Sequence, residues 1–327
     1  MKKSLIVLAI ILLVLVQLPA AGSQEGKAPV KRYSIGTSSS GGNFYLIGGG
    51  LATVLNNALP DRFVFTSEET GGSTANLAMI ENGEAEMGFA MTSALYEGAT
   101  GIAAWNNGKP MKNVQGLVPL YPSYMTMYVL ANNPIRSISD FNGRIVGLGS
   151  KGAAMDNVLR DAYSKMGVKP QSIFNDGHGA TATAVSQGQV DVSVSFSYPP
   201  FAAITELEAT KNLRFIGVTP EEQAFLVAEY PYYSASTMPK GSYAGATADV
   251  PTVSEWNMLV VAASLPEDEV YLIVKTLFEN NPELLAIHNS LQYCTPENTL
   301  NFNIPLHPGV IKYLKEKGIS VPTSLIP

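Results

Sequence analysis

An α/β fold of two similar lobes is what this 327-residue sequence predicts, and three observations carry the prediction. A unit of strand, glycine- and serine-rich loop and helix start recurs along the chain. ENGEAEMGFAM (81–91) and SQGQVDVSVSF (186–196) share a helix-ending glycine, an acid three residues later and an alternating strand, and they lie 105 positions apart. The glycine loops that end at Gly42 and Gly152 lie 110 positions apart, almost the same interval. A repeated α/β lobe accounts for all three.

The elements follow in order. Tyr33 to Ile35 fits a strand, TSSSGGN (37–43) a loop, and from Phe44 onward Ile47, Leu51, Val54, Leu55 and Ala58 fall on one helix face. A second copy puts a strand at 63–66, the TGGS loop at 70–73 and a helix at 75–82 with Leu77 and Ile80 inward. The third runs from Ile145-Val146 through GLGSKG (147–152) into a helix whose inner face carries Met155, Val158, Leu159, Ala162 and Met166. Beyond residue 210, Pro220, Pro231, Pro239 and Pro251 stand among tyrosines, and a strand is expected only from Leu259 to Ala263. Pro266 and the acids after it open a helix that buries Val270, Ile273, Val274, Leu277 and Phe278. The tail IPLHPGVIKYLKEKG ends in a short helix, and this last portion is expected to return to the first lobe.

The N-terminal end gives a location. Lys2 and Lys3 precede an apolar run from Leu5 to Val16 and then Pro19, Ala20, Ala21 and Gly22, the order of an export signal cut at about residue 22. No cysteine near the cut offers a lipid attachment point, so a soluble periplasmic protein is expected. The formal net charge of -6 becomes about -8 once both lysines are removed, which disfavours nucleic acid or an anionic membrane as partner. Cys294 is the single cysteine, which excludes an internal disulfide and a zinc site built on cysteines.

The loops carry the chemistry. A helix start has unpaired N–H groups and a partial positive charge, so a Gly/Ser loop running into it is an anion site that needs no arginine. GLGSKG also fits G-x-G-x-x-G, the dinucleotide fingerprint, which asks for an acid on the ribose about 20 residues further on. Asp176 is 24 past Gly152 in a glycine-rich loop, and an exported chain is a poor carrier of a nicotinamide, so no cofactor is expected. Catalytic patterns are missing: His178, His288 and His307 are scattered, and neither G-x-S-x-G nor G-x-x-x-x-G-K-[ST] occurs. An enzyme on this scaffold would have to draw on Asp176, His178 or Cys294.

With these segments in view, the chain resembles the TAXI family, extracytoplasmic receptors of the tripartite ATP-independent periplasmic (TRAP) transporters. The likeness rests on IGTSSSGGNFYLIGGGLATVL, TGGSTANLAMIENGEAEMGFAM, FNGRIVGLGSKG, TMPKGSYAG, LPEDEVYLIVKTLFEN and IPLHPGVIKYLKEKG, in the family's order. The resemblance implies a type II periplasmic-binding-protein-like fold: two α/β lobes, 23–124 plus 250–327 and 125–249, closing on a cleft. It implies a small organic acid as ligand, glutamate, 2-oxoglutarate or a related carboxylate, and an integral membrane permease as a transient partner. A periplasmic sensor for a membrane signalling protein is the alternative.

The family's T-G-G-T-G-G loop corresponds here to Thr37, Ser38, Ser39, Ser40, Gly41 and Gly42, followed by Asn43, Phe44 and Tyr45. Its P-G-S-G-T loop corresponds to 149–153, where Ser150, Lys151, Gly152 and Ala153 are the site positions and a lysine replaces a small residue. Thr70, Gly71, Gly72 and Ser73 form the middle loop, and Tyr121, Tyr198 and Phe201 are candidate walls. Lys151 faces either the cleft or solvent.

Overall fold

Apolar residues at alternate positions, cut off by glycines and followed by amphipathic helices, build the first half: β1 (Lys31–Gly36), α1 (Asn43–Ala58), β2 (Phe63–Glu68), α2 (Ser73–Glu81), β3 (Met87–Met91) and α3 (Thr92–Thr100). A long strand, β4 (Val114–Leu130), leads to the same order again: β5 (Ile145–Gly147), α4 (Ala154–Lys165), β6 (Ser172–Phe174), α5 (His178–Ser186), β7 (Val192–Ser197) and α6 (Ala202–Glu208). Then come β8 (Leu213–Ile216), α7 (Pro220–Glu229), β9 (Ser234–Met238), β10 (Val250–Ala262), α8 (Glu267–Glu279), α9 (Asn281–Ile287) and α10 (Pro308–Glu316). This computed structural model describes residues 29–102 and 106–327, so the expected export signal at 1–22 lies outside the described residues. All the elements belong to one unit, Lys31–Pro327.

The strand order β2-β1-β3-β10-β4-β7-β5-β6 shows the duplication. In each half the second strand, the first and the third lie side by side in parallel, and an antiparallel long strand follows. The sequence echo has a physical basis in both halves. Gly83 (φ 76°) and Gly188 (φ 73°) each end a helix in the left-handed region, where glycine has no Cβ penalty. Three residues on, Glu86 accepts from the Ser34 backbone N–H at 2.8 Å, and Asp191 accepts from the Ile145 N–H at 2.8 Å. Each acid thus ties the third strand's approach to the first strand of its own half.

The long strands connect the halves. β10 pairs with β9 over Val250–Ser254 and with β3 over Asn257–Val261, while β4 runs beside β10 and then pairs with β7 over Tyr124–Tyr128. β10 is therefore much longer than the stretch expected at 259–263. Pro251 and the polar Ser254, Glu255 and Asn257 hide its first half from an apolar pattern. α8 and α10 put Val270, Ile273, Val274, Leu277, Val310 and Leu314 into the same core as β1–β3, and Lys31 and Tyr33 both bind Glu269 of α8. Separate clusters on β5–β7 form the core of the other half.

Helix faces differ from expectation at four positions. Ala58 is exposed and Val54 half-buried, because α1 rests on the sheet through Gly48, where a Cβ would come within 2.3 Å of Thr37 Cγ2, and this turns Ile47, Leu51, Ala52 and Leu55 inward. Met166 lies just past the end of α4, and Phe278 is half-buried at the rim.

Glu255 sits where β10 passes between the halves. Its carboxylate accepts from the Ser93 N–H at 2.9 Å at the start of α3, and its Oε1 has no partner among the described residues. Burial pushes its pKa up to about 8 against the pull of that N–H, and burial with a contribution from Asp161 pushes Glu97 up to about 7. Both folded values lie above the usual carboxylate range, so folding favours the protonated forms. Their stabilisation is complete below about pH 4.5 and is lost as pH rises through 7 to 8. Denaturant titrations from pH 5 to 9 are therefore expected to show stability falling by up to about 1.4 kcal/mol per pH unit for each group. Glu255→Gln should remove its share of that slope and leave the part due to Glu97; an equally steep slope in the variant would place the titration elsewhere.

Candidate functional site

The loops are held from behind before they form a wall. Asn76, fully buried on α2, donates to the Thr37 and Phe89 carbonyls, each at 2.8 Å, and accepts from the Thr70 hydroxyl at 2.7 Å. Thr70 also donates to the Thr37 carbonyl at 3.0 Å, and the buried Thr37 hydroxyl donates to the Glu68 carbonyl at 2.6 Å. Thr37 and Thr70 therefore fix the loops in place and do not face the cavity. Ser73 Oγ accepts from the Met91 N–H at 3.0 Å, which ties the α2 start to the end of β3.

Between the halves these loops line a partly open cavity, with about 590 Å³ of free space when its open mouth is included. Six helix starts reach its wall; N–H groups of α3, α5 and α6 are taken by Glu255, Ser39 and the Gly41 carbonyl, which leaves α1 at Gly42 and Asn43, α2 at Gly72 and Ser73, and α4 at Ala153 and Ala154. None of the three has an N-cap side chain accepting its N–H groups, as is also the case for α8 and α9 away from the cavity, while α7 has a full capping box from Thr219 and Glu222. Open N–H groups with the dipole behind them make the wall electropositive without a formal charge. No Lys, Arg, Asp or Glu is among its residues. Large apolar surfaces fill the rest: Phe44, Met91, Leu148, Met155, Phe196 and Phe201.

His178, the first residue of α5, is also on the wall. Its ring lies edge-to-face with Phe201 at 5.1 Å, and burial lowers its pKa to about 4, so it is neutral at pH 7. Glycines make room for it: a Cβ on Gly42 would come within 3.1 Å of the ring, and one on Gly149 within 3.4 Å. Gly149 also turns at φ +69°.

The GLGSKG loop thus serves a turn and a histidine, and its last N–H is already used. Asp156 on α4 accepts from the Gly152 N–H at 2.9 Å and binds Arg160 at 2.7 Å. A carboxylate stands where a pyrophosphate would need that donor.

The halves meet across the cavity. The His178 N–H donates to Ser39 Oγ at 3.4 Å, so the start of α5 is capped from the other half of the molecule. The Ala203 N–H donates to the Gly41 carbonyl at 3.4 Å, and the Asn43 amide donates to the Pro200 carbonyl at 3.2 Å and accepts from the Tyr198 N–H at 3.4 Å.

Of the residues picked from sequence, Ser38, Ser39, Gly42, Asn43 and Phe44 line the cavity, as do Gly71, Gly72 and Ser73, and Tyr121, Ser150 and Ala153. Others stand away from it. Ser40 and Tyr45 are exposed, and Gly41 packs on Gly179 and Ala203. Lys151 and Gly152 face solvent. Tyr198 stands behind Tyr121 at 6.2 Å, stacked on Tyr124. Cys294 is buried, its thiol pushed up to about 12 by burial, and Asp176 is exposed. Among the described residues no group of three or more His, Cys, Asp or Glu could hold a metal ion.

The wall residues that sequence reasoning passed over include Met91, Leu148, Met155, Phe196 and Asn257. Met91 and Phe196 end the two echoing segments at matching positions, 105 apart, so the echo carried a signal for both. Asn257 lies in the half of β10 that carried none.

Truncating Asn76 tests whether the loops depend on this anchor. Asn76→Ala leaves the Thr37 and Phe89 carbonyls buried without their donor, and chemical denaturation should show a loss of about 2–4 kcal/mol. A loss below about 0.5 kcal/mol would show that the anchor contributes little.

Among solved structures, the chain is similar to one titled as a periplasmic transporter, at 15% identity over 81% of this chain and 88% of that one, with a TM-score of 0.52. It is also similar to the binding-protein component of an ABC phosphonate transporter from Pseudomonas aeruginosa, at 14% identity, 82% and 81% coverage and a TM-score of 0.49. A TRAP periplasmic solute-binding protein from a Polaromonas species, bound to D-erythronate, is similar at 13% identity, 89% and 87% coverage and a TM-score of 0.47. The fold is two-lobed α/β, and the model of the NMT1-like family matches residues 35–318, most of the chain. The chain belongs to the NMT1-like family.

Proposed function

We propose that this chain is a periplasmic solute receptor of the TAXI type. It captures a small organic acid in the cavity and presents the closed form to a TRAP-type membrane permease. Its lobes are residues 23–124 with 250–327 and residues 125–249, and its export signal is residues 1–22. The observation that carries the reading is the cavity wall: three uncapped helix starts with no charged side chain between them. Such a wall binds an anion through backbone N–H groups, and its Ser38, Ser39 and Ser73 hydroxyls bond to backbone groups and not to a base that would activate them, which favours release of the ligand unaltered. No helix among the described residues is long and apolar enough to cross a membrane, which leaves translocation to a partner.

Thermal unfolding of the refolded, ligand-free mature chain tests this. A panel should hold carboxylates, with glutamate and 2-oxoglutarate as starting compounds, and NAD. One organic acid at about 100 times its Kd should add roughly 2.7 kcal/mol of stability and be recovered intact. Exposed Lys151 stands off the wall, so Lys151→Ala should leave Kd within about twofold. Stabilisation by NAD alone, or turnover of the bound acid, would defeat the receptor reading.

A further inference from the structure

The two sides of the cavity differ in a way that selects the ligand. On the first side, Ser38, Gly42, Asn43, Gly72 and Ser73 bring two helix starts together, and neither α1 nor α2 carries an acid in its first turn. Tyr121 is also on the wall, at 1% exposure. That side has donors to give. The second side carries the apolar Leu148, Ala154, Met155, Phe196 and Phe201, with Ser150 and His178 as its polar residues, while Phe44 and Met91 add apolar surface to the first side.

The helix start on the second side is already compensated. Asp156, 2% exposed in the first turn of α4, takes the Gly152 N–H and holds Arg160, which also donates to Asn175 at 2.7 Å. A second anion placed there would meet this carboxylate and find no free cation on the wall, since Lys151 faces solvent and His178 is neutral. An enclosed carboxylate without a partner is costly. Apolar groups placed there displace water at no such cost.

We infer that the cavity selects a monocarboxylate with a branched or aromatic hydrocarbon body, its carboxylate on the α1 and α2 starts and its body against Met155, Phe196 and Phe201. The inference rests on the receptor reading and narrows it, because a dicarboxylate would be admitted only poorly.

Calorimetry on the ligand-free mature chain separates the two claims. The probes are 4-methyl-2-oxopentanoate and phenylpyruvate, against 2-oxoglutarate and glutamate, with the amide of the tightest monocarboxylate as a neutral control. At least one monocarboxylate should bind about 100-fold more tightly than either dicarboxylate, and its amide should lose at least about tenfold. Tighter binding of 2-oxoglutarate or glutamate would overturn the inference and leave the receptor reading standing. An amide that binds as well as its acid would overturn the assignment of the carboxylate to the helix starts. Binding by none of the acids would remove both claims.

Discussion

Three helices begin at one cavity with their first N–H groups unpaired, and the rest of the structure arranges that convergence. An unpaired helix start is ordinarily satisfied by a side chain or by solvent. Here the N-cap positions of these three helices are Gly42, Gly72 and Ala153, none of which has a side-chain acceptor. The open donors lie among aromatic and aliphatic surfaces, where a partial charge is screened less than in water. Neutral His178 keeps the wall free of formal charge at pH 7.

Convergence requires two lobes that share strands. β4 and β10 pass from one half to the other, so the halves are joined at the sheet. The mouth is crossed by contacts through single polar groups: Ser39 to the start of α5, Asn43 to the Pro200 carbonyl. Hydrogen bonds of this kind contribute about 1 kcal/mol each, weak enough to break and re-form with the ligand. Behind the loops the anchoring is firmer, with Asn76 tying Thr37, Thr70 and Phe89 together.

How much of this was legible in the sequence depends on whether a feature is local. The repeated strand, loop and helix order was legible because Gly83 with Glu86 and Gly188 with Asp191 each mark a helix end and a strand start within a few residues. Loop residues that reach the wall were found for the same reason, since small residues before a helix face its start. β4 escaped notice because Pro119, Pro122, Tyr121 and Ser123 break any alternating pattern, and the first half of β10 did for a similar reason. Leu148 and Met155 look like ordinary core residues in sequence; only the meeting of two lobes turns them toward a cavity, where Phe201, a candidate wall from sequence, also lies. Lys151, prominent in the GLGSKG loop, points the other way, and nothing local to the loop determines that.

The most direct measurement of the central claim is an experimental structure of the mature chain with its tightest-binding acid. The carboxylate should lie within hydrogen-bond distance of backbone N–H groups at the starts of α1 and α2, with no lysine or arginine side chain contacting it. A carboxylate paired with Lys151 or Arg160, or a ligand bound outside this cavity, would contradict the claim that uncapped helix starts do the binding.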